Sequence, residues 1–152
     1  MESSSYKGDL SQIIPTIYAL ATPGTAVYVL SPWLNVHVVV NIPWKRIDRE
    51  VTLIDFVVLE RQRGVDSIFF VSTMARDDRE TQKSITELTG LGFKVEVVEN
   101  LHSKAVVGNL LMYQGSANIT YNGLYNNIES VTLTAIDNQE KALRRLLIQV
   151  KR

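Results

Sequence analysis

The chain has 152 residues, 45% of them hydrophobic, with 16 basic and 16 acidic side chains, no cysteine and two histidines. That length and apolar content suit one domain with a real core, and the even charge balance excludes a uniformly basic nucleic-acid binder while leaving room for a local basic groove. Without cysteine there are no disulfides or thiolate metal sites, and two histidines are too few for a typical zinc centre, so the chemistry is expected to need no metal and no cofactor.

Met1 to Gly8 is polar and Ser-rich, lacks the apolar core of a signal peptide and is expected to be flexible. No apolar run approaches the roughly 18 residues of a membrane span. A soluble cytoplasmic protein with no membrane partner is expected, folded as one domain over 1–152. From Asp9 to Ala21, Leu10, Ile13, Ile14, Ile17 and Tyr18 recur at helical spacing, with Pro15 expected to kink or shorten the helix. Ala26 to Leu30 reads as a buried strand ending at Ser31-Pro32-Trp33, and Val36 to Ile42 as a further strand before Pro43-Trp44. Asp48 to Arg63 carries helical apolar spacing and stops at Gly64. The strand Ser67 to Val71 follows. Asp77 or Asp78 then caps a helix with Ile85, Leu88 and Leu91 inward, and Phe93 to Val98 returns as a strand. Lys104 to Val107 and Leu110 to Gln114 flank Gly108-Asn109 as a hairpin. Val131 to Ala135 is a last strand, and Asn138 to Val150 a last helix. Alternation followed by a hairpin predicts an α/β fold, an αβα sandwich around a mixed sheet.

Within this frame, chemistry concentrates between His102 and Glu129. His102 can attack phosphorus, and Lys104, two residues on in an extended segment, points to the same side with a positive charge. Gly115-Ser116 offers backbone and hydroxyl donors to phosphate oxygens, Asn118 adds an amide, and Glu129 adds a carboxylate. His37 lacks a lysine two residues on and reads as a packed or edge histidine. Trp33 and Trp44 read as core or interface residues, with base stacking as the alternative. Lys45, Arg46 and Arg49, with Arg61 and Arg63, read as solvated helix ends, with phosphate steering as the alternative.

The order His102-x-Lys104, Gly115-Ser116-x-Asn118 and Asn127-x-Glu129 resembles the phospholipase D superfamily, whose signature is His-x-Lys, four residues, Asp, then Gly-Ser-x-Asn. The chain departs from it at Asn109, which stands where the family has aspartate and keeps the size and hydrogen-bonding capacity without the charge. A hairpin turn also favours asparagine there for conformational reasons. The resemblance implies a phospholipase D-like fold with His102, Lys104, Asn118 and Glu129 as catalytic residues and with Gly115, Ser116 and Asn109 in phosphate binding or support. Glu129 would accept a hydrogen bond from His102 and fix its tautomer. The implied activity is metal-independent phosphodiester hydrolysis through a phosphohistidine, with a nuclease acting on DNA as the expected class. That mechanism needs two histidines, so a homodimer with a composite site is expected. Two alternatives stand beside it: a nucleic-acid-binding or assembly module without turnover, and a phospholipid phosphodiesterase.

Overall fold

A computed structural model of the chain describes residues 3–6, 10–42, 49–126 and 131–148. Its centre is a seven-stranded sheet. The strands are β1 (Ser3–Tyr6), β2 (Ala26–Leu30), β5 (Asp66–Ser72), β6 (Lys94–Val98), β7 (Ala105–Val107), β8 (Leu111–Gly115) and β9 (Val131–Ala135), while β3 (Val39–Ile42) and β4 (Arg49–Thr52) pair separately. The order is β1-β9-β8-β7-β2-β5-β6. β2, β5 and β6 run parallel, and every pairing from β2 through β7, β8 and β9 to β1 is antiparallel.

Four α-helices complete it among the described residues: α1 (Leu10–Ala19), α2 (Leu53–Gln62), α3 (Arg79–Gly90) and α4 (Gln139–Ile148). Side-chain alternation along the strands assigns them to faces. Val27, Val29, Phe69, Val71 and Val106 join α1, α2 and α3 in one apolar cluster. Leu30, Phe70, Ala105 and Val107 join Leu143 and Leu146 of α4 in another. The molecule is therefore an αβα sandwich around a mixed sheet, with three helices on one face and one on the other. Tyr18 is fully buried among the first cluster, edge-on to Phe56 at 5.2 Å, and its hydroxyl is satisfied 2.7 Å from Ser67 Oγ.

Several expectations are corrected. The Asp48–Arg63 helix starts only at Leu53: β-branched Val51 and Thr52 pair with Val40 and Val39 respectively, and Thr52 Oγ1 caps the helix by accepting from Asp55 N at 3.3 Å. The next free helix amides are taken by the preceding segment, Leu53 N donating to Val38 O and Ile54 N to Val36 O. Pro15 lies inside α1 without ending it. Leu91 is exposed, because α3 ends at Gly90 and Leu91 has left the inward stripe. Residues 3–6, polar and without strand patterning, pair with β9 as β1. The stops at Gly64 and Gly92 carry φ of +100° and +88°, the left-handed conformation that glycine adopts freely.

Candidate active site

Topology creates the site. β6 is an edge strand, but β7 lies beside β2, so the chain leaving β6 must cross the carboxyl end of β5 before re-entering the sheet. His102 lies on this crossing, where the sheet switches from parallel to antiparallel pairing, the position at which open α/β sheets form crevices. Asn100, at φ +52°, turns the chain, and its amide donates to Thr73 Oγ1 at 3.0 Å. Leu101 is wholly buried in the α4 cluster, and Ser103 Oγ donates to Leu146 O at 2.9 Å. Those two anchors hold the segment against α4. His102 is exposed and Lys104 half-buried, with its ammonium donating to His102 O at 3.1 Å.

Extending the register Leu30↔Ala105↔Gln114 by one residue brings Ser31, Lys104 and Gly115 abreast, about 4.8 Å apart from strand to strand. Gly115 N donates to Lys104 O at 3.1 Å, closing that row. Beyond it, Ala117 and Ile119 are buried while Ser116 is exposed and Asn118 half-buried, so the two polar residues alternate outward. Buried Ser31 Oγ accepts from Ile119 N at 2.8 Å, Asn35 N donates to Ile119 O at 2.8 Å, and Trp33 N donates to Asn118 Oδ1 at 3.3 Å. This turns the Asn118 side-chain oxygen onto the Trp33 backbone. Gly123, in the π-helical turn Asn122–Asn126, lies so close that a Cβ there would stand 2.0 Å from Asn118 O.

Among the residues expected in the site, His102, Lys104, Gly115, Ser116 and Asn118 thus share the carboxyl end of the parallel strands. Glu129 and Asn127 lie outside the described residues, as do Trp44, Lys45 and Arg46. Asn109 is not brought to the site. It turns the β7–β8 hairpin at the opposite end of the sheet, five residues or roughly 16 Å along the strand from Lys104. Its amide is spoken for: Thr22 N donates to Oδ1 at 3.0 Å, and Nδ2 donates to Thr22 Oγ1 at 2.9 Å. In place of the support role expected at the site, Asn109 braces the hairpin turn against the loop that follows α1. Arg61 and Arg63 are likewise braces, donating to Leu91 O at 2.7 Å and to Tyr18 O at 2.6 Å.

His37 is an edge histidine, as expected, with Nε2 2.6 Å from Glu87 Oε2. It belongs to a strip that sequence patterning did not reveal. Leu34 N donates to Thr81 Oγ1, Val36 N to Ser84 Oγ, and His37 meets Glu87, three contacts one helical step apart along α3. Among the described residues, no group of three or more His, Asp or Glu side chains is placed to hold a metal ion, and no helix is long and apolar enough to cross a membrane.

No protein-family model and no curated protein match the sequence. Solved structures do match the fold. Nuc from Salmonella typhimurium, a phospholipase D family member, superimposes with a TM-score of 0.68 at 13% identity, covering 98% of this chain and 94% of that one. NucT from Helicobacter pylori gives 0.61 at 12% identity over the same shares. TrmBL2, an archaeal chromatin protein described with a mode of DNA binding, gives 0.56 at 9% identity, over 98% of this chain and 52% of its own. The chain has a phospholipase D-like fold, with the His102–Lys104 segment at the carboxyl end of its parallel strands.

Proposed function

We propose that the protein is a metal-independent phosphodiesterase, a nuclease that hydrolyses DNA phosphodiester bonds through a phosphohistidine in a homodimer. The observation that carries the reading is the row Ser31, Lys104, Gly115, with His102 two residues before Lys104 and Asn118 three after Gly115, in a fold shared with phospholipase D-like structures. A ring nitrogen of His102 attacks phosphorus; the P–N bond forms as the P–O bond to the leaving nucleotide breaks. The leaving oxygen takes its proton from His102 of the partner subunit, because attack and departure lie on opposite sides of phosphorus and one ring cannot serve both. Water, deprotonated by that second imidazole, then breaks the P–N bond and restores His102. The Lys104 ammonium and the Asn118 amide stabilise charge on the equatorial oxygens, and Glu129 accepts from the other nitrogen of His102.

The test is hydrolysis of DNA and of bis(p-nitrophenyl) phosphate in excess EDTA, with sedimentation reporting the mass. Undiminished turnover by a dimer is expected. Activity lost to EDTA and restored by magnesium, or a fully active monomer, overturns the mechanism. The shared fold of a DNA-binding chromatin protein favours a second reading, a binding module without turnover. DNA binding with no hydrolysis of either substrate selects it.

A further inference from the structure

Next to the segment that carries Asn118 lies a cleft of about 540 Å³ that the catalytic reading does not use. Its floor is the β3–β4 hairpin. Val40, Ile42 and Val51 face inward to the core, while Val39, Asn41 and Glu50 face the cleft, with Asn41 directly across from Glu50 in the register. Asn35, His37, Val38 and Tyr121 complete the lining. Asn35 N is bonded to Ile119 O, and Leu34 pairs with Ile119, so this part of the lining is stitched to the loop that carries Asn118. Tyr121 follows Asn118 by three residues, which places their Cα atoms within about 11 Å of each other. The tyrosine is 61% exposed, on a turn pinned by Leu124 N donating to Thr120 O.

The chemistry of the lining points to one kind of occupant. Glu50 is the carboxylate on the lining, and the His37 imidazole there is already engaged by Glu87 Oε2. An aromatic ring, two side-chain amides and a carboxylate are the groups that take up an unstacked base by its face and its polar edge. We infer that this cleft is a subsite for one unpaired nucleobase next to the scissile phosphate, stacking on Tyr121 and presenting an amino group to Glu50, so that the substrate is single-stranded and the preferred flanking base is an amine-bearing one rather than thymine. The inference rests on the proposed nuclease activity. A base held in a duplex keeps its amino edge paired and its faces stacked, and cannot enter.

The test measures kcat/KM of the full chain on a single-stranded DNA oligonucleotide, its duplex and bis(p-nitrophenyl) phosphate, which carries no base. Tyr121→Ala is expected to lower the ratio of oligonucleotide to small-diester kcat/KM about tenfold, and Tyr121→Phe to restore it. Glu50→Gln is expected to erase the preference for oligo(dC) over oligo(dT). An unchanged ratio in Tyr121→Ala, or faster cleavage of duplex than of single strand, overturns the subsite while leaving the nuclease reading intact. If the wild type turns over neither substrate, the nuclease reading falls and affinity for fluorescein-labelled oligo(dC) decides: about tenfold weaker binding by Tyr121→Ala supports the subsite, and equal affinity or no binding by the wild type overturns it.

Discussion

The two ends of the sheet use similar residue types for opposite purposes. At the carboxyl end of the parallel strands, His102, Lys104 and Asn118 lie at or near the surface, and their neighbours anchor the chain: Asn100 N to Thr73 Oγ1, Ser103 Oγ to Leu146 O, Ile119 N to Ser31 Oγ. At the other end polar side chains are consumed in bracing. Asn109 is tied twice to Thr22, Arg63 to Tyr18 O and Arg61 to Leu91 O, next to the backbone bond from Gly24 N to Gly64 O at 2.7 Å. An amide or a cation signals chemistry only where the fold leaves its donors facing solvent. Asn118 and Asn109 are the same side chain nine positions apart; Asn109 is bonded through both its oxygen and its nitrogen to Thr22, and Asn118 through its oxygen to Trp33 N.

The largest effects are expected at the carboxyl end. His102→Ala removes the group proposed to attack phosphorus and is expected to abolish turnover with the fold retained. Lys104→Ala is expected to lower kcat by about 10²-fold or more through loss of charge stabilisation. Steady-state kinetics with circular dichroism as the folding control measures both. A His102→Ala protein with full activity would break the comparison at its strongest point.

An indirect change at the same end should rank next. Gly123→Ala places a Cβ 2.0 Å from Asn118 O, backbone that cannot yield without moving the loop. Displacements of about 1 Å near a reacting centre can cost as much as 10²-fold. A fall of about tenfold to a hundredfold in kcat is expected, with the mass and secondary structure of the wild type. Normal turnover would mean that the Asn118 loop tolerates displacement.

At the bracing end the expectation reverses. Asn109→Ala deletes both bonds to Thr22, at about 1 kcal/mol each, so a loss of about 1–2 kcal/mol in urea unfolding is expected with kcat/KM unchanged within about twofold. Asn109→Asp should leave turnover equally unaffected, since the carboxylate is roughly 16 Å from Lys104. A catalytic effect from either substitution would show that the two ends are coupled.

How far this division could be read without coordinates depends on the range of the interactions. Helical spacing and the strand, helix, strand alternation are local, and α1, α3, β2 and β5 lie where the pattern puts them within a residue or two. β1 and β4 are not local: Ser-Ser-Ser-Tyr becomes a strand through its ladder with β9, and Arg49–Thr52 through its ladder with β3. The spacing of Val51 to Ile54 suits a helix as well as a strand entering one. The motif residues His102, Lys104 and Asn118 were legible because strand alternation and one hairpin bring them together. The same hairpin carries Asn109 away, since its motif position counts residues along a strand that leads out of the site. The base cleft was illegible: Asn41, Glu50 and Tyr121 come from separate segments, with no period to link them.

The smallest expected effect is the pH response of the bracing end. Tyr28 lies on β2 against Phe70, at 6.1 Å between ring centroids, and its hydroxyl donates to Glu140 at the start of α4. Gln139 Nε2 donates to Ala26 O and Val107 O beside it, so this contact docks α4 onto the sheet away from His102. Burial, followed by the Glu140 hydrogen bond and charge, pushes the Tyr28 hydroxyl up from 10.0 to about 12. Burial chiefly raises Tyr18 as well, beside Ser67. A group whose pKa is higher folded than unfolded binds its proton more tightly in the folded state. Its stabilising contribution is complete below pH 10 and is lost as pH rises through about 12. Urea midpoints should therefore decline with pH above 10, and Tyr28→Phe, which keeps the ring but has no proton to lose, should flatten part of that decline. Because Tyr18 remains in the variant, the flattening is incomplete. A Tyr28→Phe protein whose midpoint falls with pH as steeply as the wild type would place the alkaline weakness elsewhere than the docking of α4.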